Sequence, residues 1–123
     1  MMLMSSLYSF PNVHQAYHAH VYYDADTEAE ADVIYQTASA SSLPIDLGRF
    51  HRKCVGPHPK WSFQIAFDKN AFDEVMAWLE DHRGDLTVFL HGVTGDDYVD
   101  HTDHVGWLGK SVALRLDIFK PKS

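Results

Sequence analysis

The sequence predicts one α+β domain of the ferredoxin-like type, a βαββαβ sandwich with an added C-terminal strand. Three observations carry this. Apolar and polar residues alternate near positions 17–23, 61–67 and 86–91, the period of a strand whose side chains point to opposite faces. Two intervening stretches, after Thr27 and after Asn70, carry apolar residues at helical spacing. The chain has 123 residues, which suits one domain with room for a hydrophobic core.

The domain is read as residues 16–123, preceded by an N-terminal tail, 1–15, that offers Leu7, Tyr8 and Phe10 for packing. Its first residues, Met1-Met2-Leu3-Met4, are apolar but too short to span a bilayer and lack a basic flank. The first strand covers about Tyr17–Tyr23, with Ala19 and Val21 on one face and His18, His20 and Tyr22 on the other. Thr27 and Glu30 match a capping box for the first helix. Val33, Ile34 and Ala38 supply its apolar stripe, and Ser41, Ser42 and Pro44 end it. A second strand is predicted over Leu47–Val55, and the turn Gly56-Pro57-His58-Pro59 leads into a third, Trp61–Phe67. Phe72, Val75, Met76 and Leu79 follow the spacing of an amphipathic helix, with Asn70 as N-cap and Gly84 at the C-terminal end. The fourth strand, Leu86–His91, places Leu86, Val88 and Leu90 toward the core and His91 on the opposite face. A long segment, Gly92–Lys110, precedes a last alternating strand, Val112–Phe119. Loops of that length are often functional.

With 46% hydrophobic and 22% charged residues the chain reads as a folded soluble protein. A net charge of −7 and the lack of a basic cluster argue against nucleic acid or an anionic membrane as partner. The single cysteine, Cys54, excludes an intrachain disulfide and cysteine-rich zinc modules. A cytoplasmic location is expected.

Nine histidines direct attention to metal chemistry, because neutral imidazole is the commonest protein ligand for transition metals. In the expected topology the first strand is central, flanked by the third in parallel and the fourth in antiparallel orientation. The start of strand one, the entry to strand three and the end of strand four then share one end of the sheet. His18 or His20, His58 and His91 lie on those segments and would converge on a face the helices leave open. Three imidazoles with vacant positions suit Zn(II), Fe(II) or another divalent ion. An open sheet face is also a surface for a second subunit, so a homodimer, as a dimeric α+β barrel, is expected. His101 and His104 have the i, i+3 spacing of a helical pair. His101 could add a ligand or act as an acid or base, whereas His104 reads as a solvated loop residue.

At these residues the sequence resembles the DOPA 4,5-dioxygenase family. The matching stretches are His18-Ala19-His20-Val21-Tyr22-Tyr23, Gly56-Pro57-His58-Pro59, Leu86 to His91, and Asp100-His101-Thr102 followed by Trp107-Leu108-Gly109. They occur in the family's order and span residues 17–119. Gly92 departs from the pattern, which usually has proline after the strand-four histidine. The resemblance implies non-haem Fe(II), molecular oxygen and extradiol opening of a catechol such as L-DOPA, with zinc or another divalent metal possible in purified protein. The expected ligands are His20, His58 and His91, with His18 and His101 as catalytic acid/base or supporting residues. His18 and His20 point to one face, so the choice between them stays open, and no carboxylate ligand is identified. Activity is expected to fall below about pH 6, where histidines near their reference pKa of about 6.5 gain protons. A non-catalytic dimeric module binding a metal or small aromatic ligand is the alternative. A zinc hydrolase is disfavoured because no obvious carboxylate general base sits beside the histidines.

Overall fold

The computed structural model describes residues 10–119. The elements run β1 (Ala16–Tyr23), α1 (Glu28–Ser39), β2 (Asp46–Leu47), β3 (Trp61–Asp68), α2 (Phe72–His82), β4 (Val88–Gly92), α3 (Asp97–Asp100) and β5 (Val105–Leu108), followed by a 3-10 turn at Leu116–Phe119. The strands form one antiparallel sheet in the order β2-β3-β1-β4-β5. This is the mixed α+β architecture that the sequence predicts. No described helix is long and apolar enough to cross a membrane.

Alternation decides which side of the sheet is the core. Ala19 and Val21 of β1, Phe63 and Ile65 of β3, and Val88 and Leu90 of β4 are fully buried on one face. They pack with Ala31 and Ile34 of α1 and with Val75, Met76 and Leu79 of α2. Each large apolar side chain so buried contributes roughly 1.5–3 kcal/mol. Phe10 joins this core, its ring 5.6 Å from Tyr17 and 6.0 Å from Phe72. Leu7 and Tyr8 lie outside the described residues.

The helix starts differ from the sequence reading. No capping box forms at α1. The Thr27 hydroxyl serves the preceding turn instead, accepting from the Asp24 backbone N–H and donating to the Asp24 carboxylate. At α2 the N-cap position is Ala71, not Asn70. The Asp68 carboxylate accepts from the backbone N–H groups of Asn70 and Ala71 and organises the entry from one turn upstream. Gly84 does follow α2 in the left-handed region, at φ 59°, a conformation glycine adopts without a Cβ clash.

Three strand expectations require correction. First, β1 and β3 are antiparallel, Ala16 opposite Asp68 and Tyr23 opposite Trp61. The α1 crossover makes β1 and β2 parallel, and β3, inserted between them, runs against both. The entry to β3 is therefore at the opposite end of the sheet from the end of β4. Second, β2 is two residues long rather than reaching Val55. Backbone bonds from Gly48 to Gln64 and from His51 to Ser62 follow it, while Phe50 turns in to stack on Tyr23 at 4.6 Å. Third, the added strand is Val105–Leu108, not Val112–Phe119. It returns to β4 through the short helix α3, pairing Val105 with His91 and Leu108 with Val88. The nearer partner closes the smaller loop and so loses less chain entropy. Residues 112–119 cross the other face, anchored by the Arg115 N–H on the Pro57 carbonyl.

Candidate metal centre

The histidine cluster is a product of strand register. His18 of β1 lies directly opposite His91 of β4, and His20 lies two residues further along on the same face. Side chains directly opposite in such a pair stand about 5 Å apart at Cβ, and diagonal neighbours remain within reach of long side chains. One ring nitrogen from each of His18, His20 and His91 falls within 4.8 Å of the others. His20 Nε2 and His91 Nε2 are 3.1 Å apart.

These residues fit a metal ion. The His91 Nδ1–H donates to the Gly92 carbonyl at 2.9 Å, which leaves the Nε2 lone pair facing His20. Fixing one imidazole nitrogen in this way to orient the other is the usual support for a histidine ligand. Two imidazole nitrogens this close share either a proton or a cation, and ligands each about 2.1 Å from one ion stand roughly 3.0–3.4 Å apart. An all-nitrogen donor set suits zinc, iron, copper or nickel better than magnesium or calcium. The cluster could therefore hold a metal ion.

Burial keeps the cluster uncharged. Desolvation, reinforced by His58 and His91, pushes His20 well below its ordinary pKa. Burial takes His91 down to about 3, against the upward pull of its bond to Gly92. His18 is lowered by burial and by His101, partly offset by Asp100 and Asp97. Burial thus moves proton competition at all three ring nitrogens to lower pH than free imidazole would show.

A cleft of about 240 Å³ opens over the cluster, lined among others by His58, Asp100, His101 and Phe119. His58 arrives by an unexpected route. Residues 48–60 fold back across the sheet from the far end, and Gly56, at φ 57°, turns the chain so that His58 packs 4.1 Å from the His20 ring. Its nitrogens do not join the group formed by His18, His20 and His91. Its Nδ1 instead lies 2.7 Å from the Tyr22 hydroxyl. Burial, with smaller effects from His101 and His51, lowers His58 to about 4, and burial raises the Tyr22 phenol. His101, at the end of α3, stands 4.2 Å from the His91 ring and 4.8 Å from Phe119. Its Nδ1–H donates to the Asp97 carbonyl at 2.7 Å, leaving Nε2 as an acceptor.

Two site residues went unidentified in the sequence. Asp100 is the buried carboxylate among the described residues, 2% exposed, and both its oxygens are held by Thr94, from the backbone N–H and the hydroxyl. Burial pushes its carboxyl up, but those bonds, with His91 and His104, bring it below the usual value. Thr94 lies six residues upstream, a spacing with no recognised motif. Tyr22 shares the strand face of His18 and His20, and that parity was the available signal. His104 takes no part in the cluster; its ring packs 4.5 Å from His14. Trp107 lies beside the site, 4.7 Å from Phe89 and 6.3 Å from Tyr22.

The His14 ring packs against Gly92 where a Cβ would otherwise sit. A Cβ there would lie 2.4 Å from His14 Cδ2, and the Gly92 N–H donates to the His104 carbonyl. Gly92→Pro removes that donor and drives the ring into His14. We expect a loss of about 2–4 kcal/mol in urea unfolding; unchanged stability would show that His14 moves aside freely.

The model of the Dopa 4,5-dioxygenase family matches residues 17–118. A DOPA 4,5-dioxygenase from Amanita muscaria is 27% identical over 108 residues, covering 81% of this chain and 47% of that protein. An uncharacterized 21.2 kDa protein from Botryotinia fuckeliana is 25% identical over 116 residues, covering 85% of this chain and 63% of that one. The chain thus spans about half to under two thirds of the length of these curated relatives. A crystal structure from Nostoc punctiforme, of a "putative dioxygenase", superimposes with a TM-score of 0.80 at 38% identity, covering 85% of this chain and 90% of that one.

Proposed function

The chain belongs to the Dopa 4,5-dioxygenase family, and from that premise we propose that it is a non-haem Fe(II)-dependent extradiol dioxygenase opening the ring of L-DOPA or a related catechol. The observation that carries this reading is the group His18, His20 and His91, whose ring nitrogens meet within 4.8 Å at the floor of a cleft. Those three residues would hold the metal. Bound Fe(II) would supply vacant positions for the catechol oxygens and dioxygen and would make the catechol more acidic.

The chain's own residues do the remainder. Phe89 and Trp107 form an aromatic wall beside the cluster, and Phe119 and Ile118 line the cleft. Ile118 and Phe119 offer the apolar surface against which a planar ring would lie, and the buried Phe89 backs the histidines from behind. His101, with Nε2 free to accept, takes a proton from a catechol hydroxyl. The Thr94–Asp100 bonds fix the segment that presents it. Holding both reactants in one cleft removes much of their translational and orientational cost.

The homodimer belongs to the same proposal. The chain's own segments already bury His20, Tyr22 and Phe89. A second subunit would cover what they leave, including a cleft of about 300 Å³ lined by Ala16, His18, Asp46, Ala66 and Val93. Sedimentation equilibrium would check it. A cytoplasmic site of action is also proposed, in keeping with the composition.

The direct test is anaerobic Fe(II) reconstitution followed by L-DOPA and air. We expect one oxygen consumed per catechol and a new yellow absorbance from the ring-opened product. Bound iron with no oxygen uptake on L-DOPA or simple catechols would favour the non-catalytic ligand-binding module.

A further inference from the structure

We propose that His58 is a hydrogen-bond donor to the bound ligand and not a ligand of the metal, with Tyr22 as the positioning residue that fixes its tautomer. The inference rests on the proposed function in one respect, that the cleft over the histidines receives a catechol.

Tyr22 is 1% exposed. Among the described residues its hydroxyl has a single hydrogen-bond partner, His58 Nδ1 at 2.7 Å. A buried phenol keeps its proton and must place it. If Tyr22 donates, the bond is complete. If His58 Nδ1–H donated instead, the phenolic proton would be left buried and unpaired, at the full desolvation penalty of that group. The hydroxyl therefore donates and Nδ1 accepts. A neutral imidazole carries one proton, and with Nδ1 accepting that proton sits on Nε2. Nε2–H has no lone pair to give a cation. The geometry agrees: the His58 ring is 4.1 Å from that of His20, yet its nitrogens stand outside the group that His20 forms with His18 and His91.

Across the cleft the arrangement is reversed. The His101 Nδ1–H is spent on the Asp97 carbonyl, so its Nε2 accepts. The two rings, 6.4 Å apart, line one cleft, one offering a proton and the other a lone pair. A catechol with one ionised and one protonated oxygen matches this pair, the oxyanion accepting from His58 and the hydroxyl donating to His101. The class selected is thus a monoanionic vicinal diol on an aromatic ring, oriented by the polarity of the two histidines.

Three measurements test this on the full chain. Long-range 1H–15N spectra of the labelled protein, metal-free and Zn(II)-loaded, should show His58 as the Nε2–H tautomer, and Tyr22→Phe should release it to a mixture. The Zn(II) dissociation constant of His58→Ala should stay near the wild-type value. Its affinity for 4-nitrocatechol in the Zn(II)-loaded state should fall by about tenfold, the loss of one charge-assisted hydrogen bond. A wild-type Nδ1–H tautomer, or Zn(II) affinity lost in His58→Ala, overturns the proposal while leaving the dioxygenase reading intact. Failure of 4-nitrocatechol to bind the wild-type protein overturns the catechol site itself, and the tautomer and Zn(II) affinity then still decide whether His58 is a metal ligand.

Discussion

His91→Ala is expected to lose metal binding by more than about a hundredfold while remaining folded, since removing even an outer partner of a ligand costs ten- to a hundredfold. The residue is singular in three ways. Its Nε2 faces His20 at 3.1 Å, its Nδ1 is tied to Gly92, and it stands opposite His18 across the β1–β4 pair. Removing it deletes one nitrogen and also unpairs His20. The core on the other sheet face is untouched, so the thermal transition should stay cooperative. Co(II) is the informative probe, because its visible spectrum reports the number and type of ligands as well as occupancy. His101→Ala is the control. It removes a ring lining the same cleft but outside the three-histidine group, and should leave Co(II) binding near wild type. Equal Co(II) affinity in His91→Ala and the wild-type protein would eliminate the centre described here.

Strand parity was enough to place His18, His20 and His91 together. Both β1 and β4 could be read from alternation, and their pairing follows from the fold class. Register then does the rest, because His18 and His91 are cross-strand partners. His58 was also expected near this group, but for a reason that fails. A parallel β3 would have delivered it to the end of the sheet where β4 finishes; the real β3 is antiparallel, and the loop between β2 and β3 carries His58 back across the face. Nothing in the local pattern of Gly56-Pro57-His58-Pro59 encodes that path. It depends on Phe50 stacking on Tyr23 and on Tyr22 bonding His58, both contacts between residues distant in sequence. The same limit hid Asp100, whose role appears only once Thr94 folds over it. The strand at Val105–Leu108 was missed because four residues give too little alternation to outweigh the longer alternating stretch at 112–119.

The second large effect is on the metal-free protein in acid. A histidine whose folded pKa lies below its unfolded value of about 6.5 binds fewer protons folded than unfolded, so its stabilisation is present above that pH and is lost as pH falls toward the folded value. His91 is lowered to about 3 and His58 to about 4. The window for both therefore opens at about pH 6.5 and extends to about pH 4–3. Each group forfeits about 1.4 kcal/mol per pH unit inside it. By pH 4.5 the two together remove about 5 kcal/mol, comparable to the whole stability of a small domain; His20, also lowered, acts in the same direction. We expect the melting temperature of the metal-free protein to fall steeply between pH 6.5 and 4.5. Saturating Zn(II) should shift that fall to lower pH, because an ion bound only by the folded state adds stability by mass action and occupies the nitrogens protons would take. His91→Ala, lacking one of the titrating groups, should show a shallower slope in the metal-free state even as it loses the Zn(II) protection. A melting temperature flat across this range in the metal-free wild-type protein would mean that the histidines are already solvated or protonated there. The buried, neutral cluster on which the metal site depends would then not exist in solution.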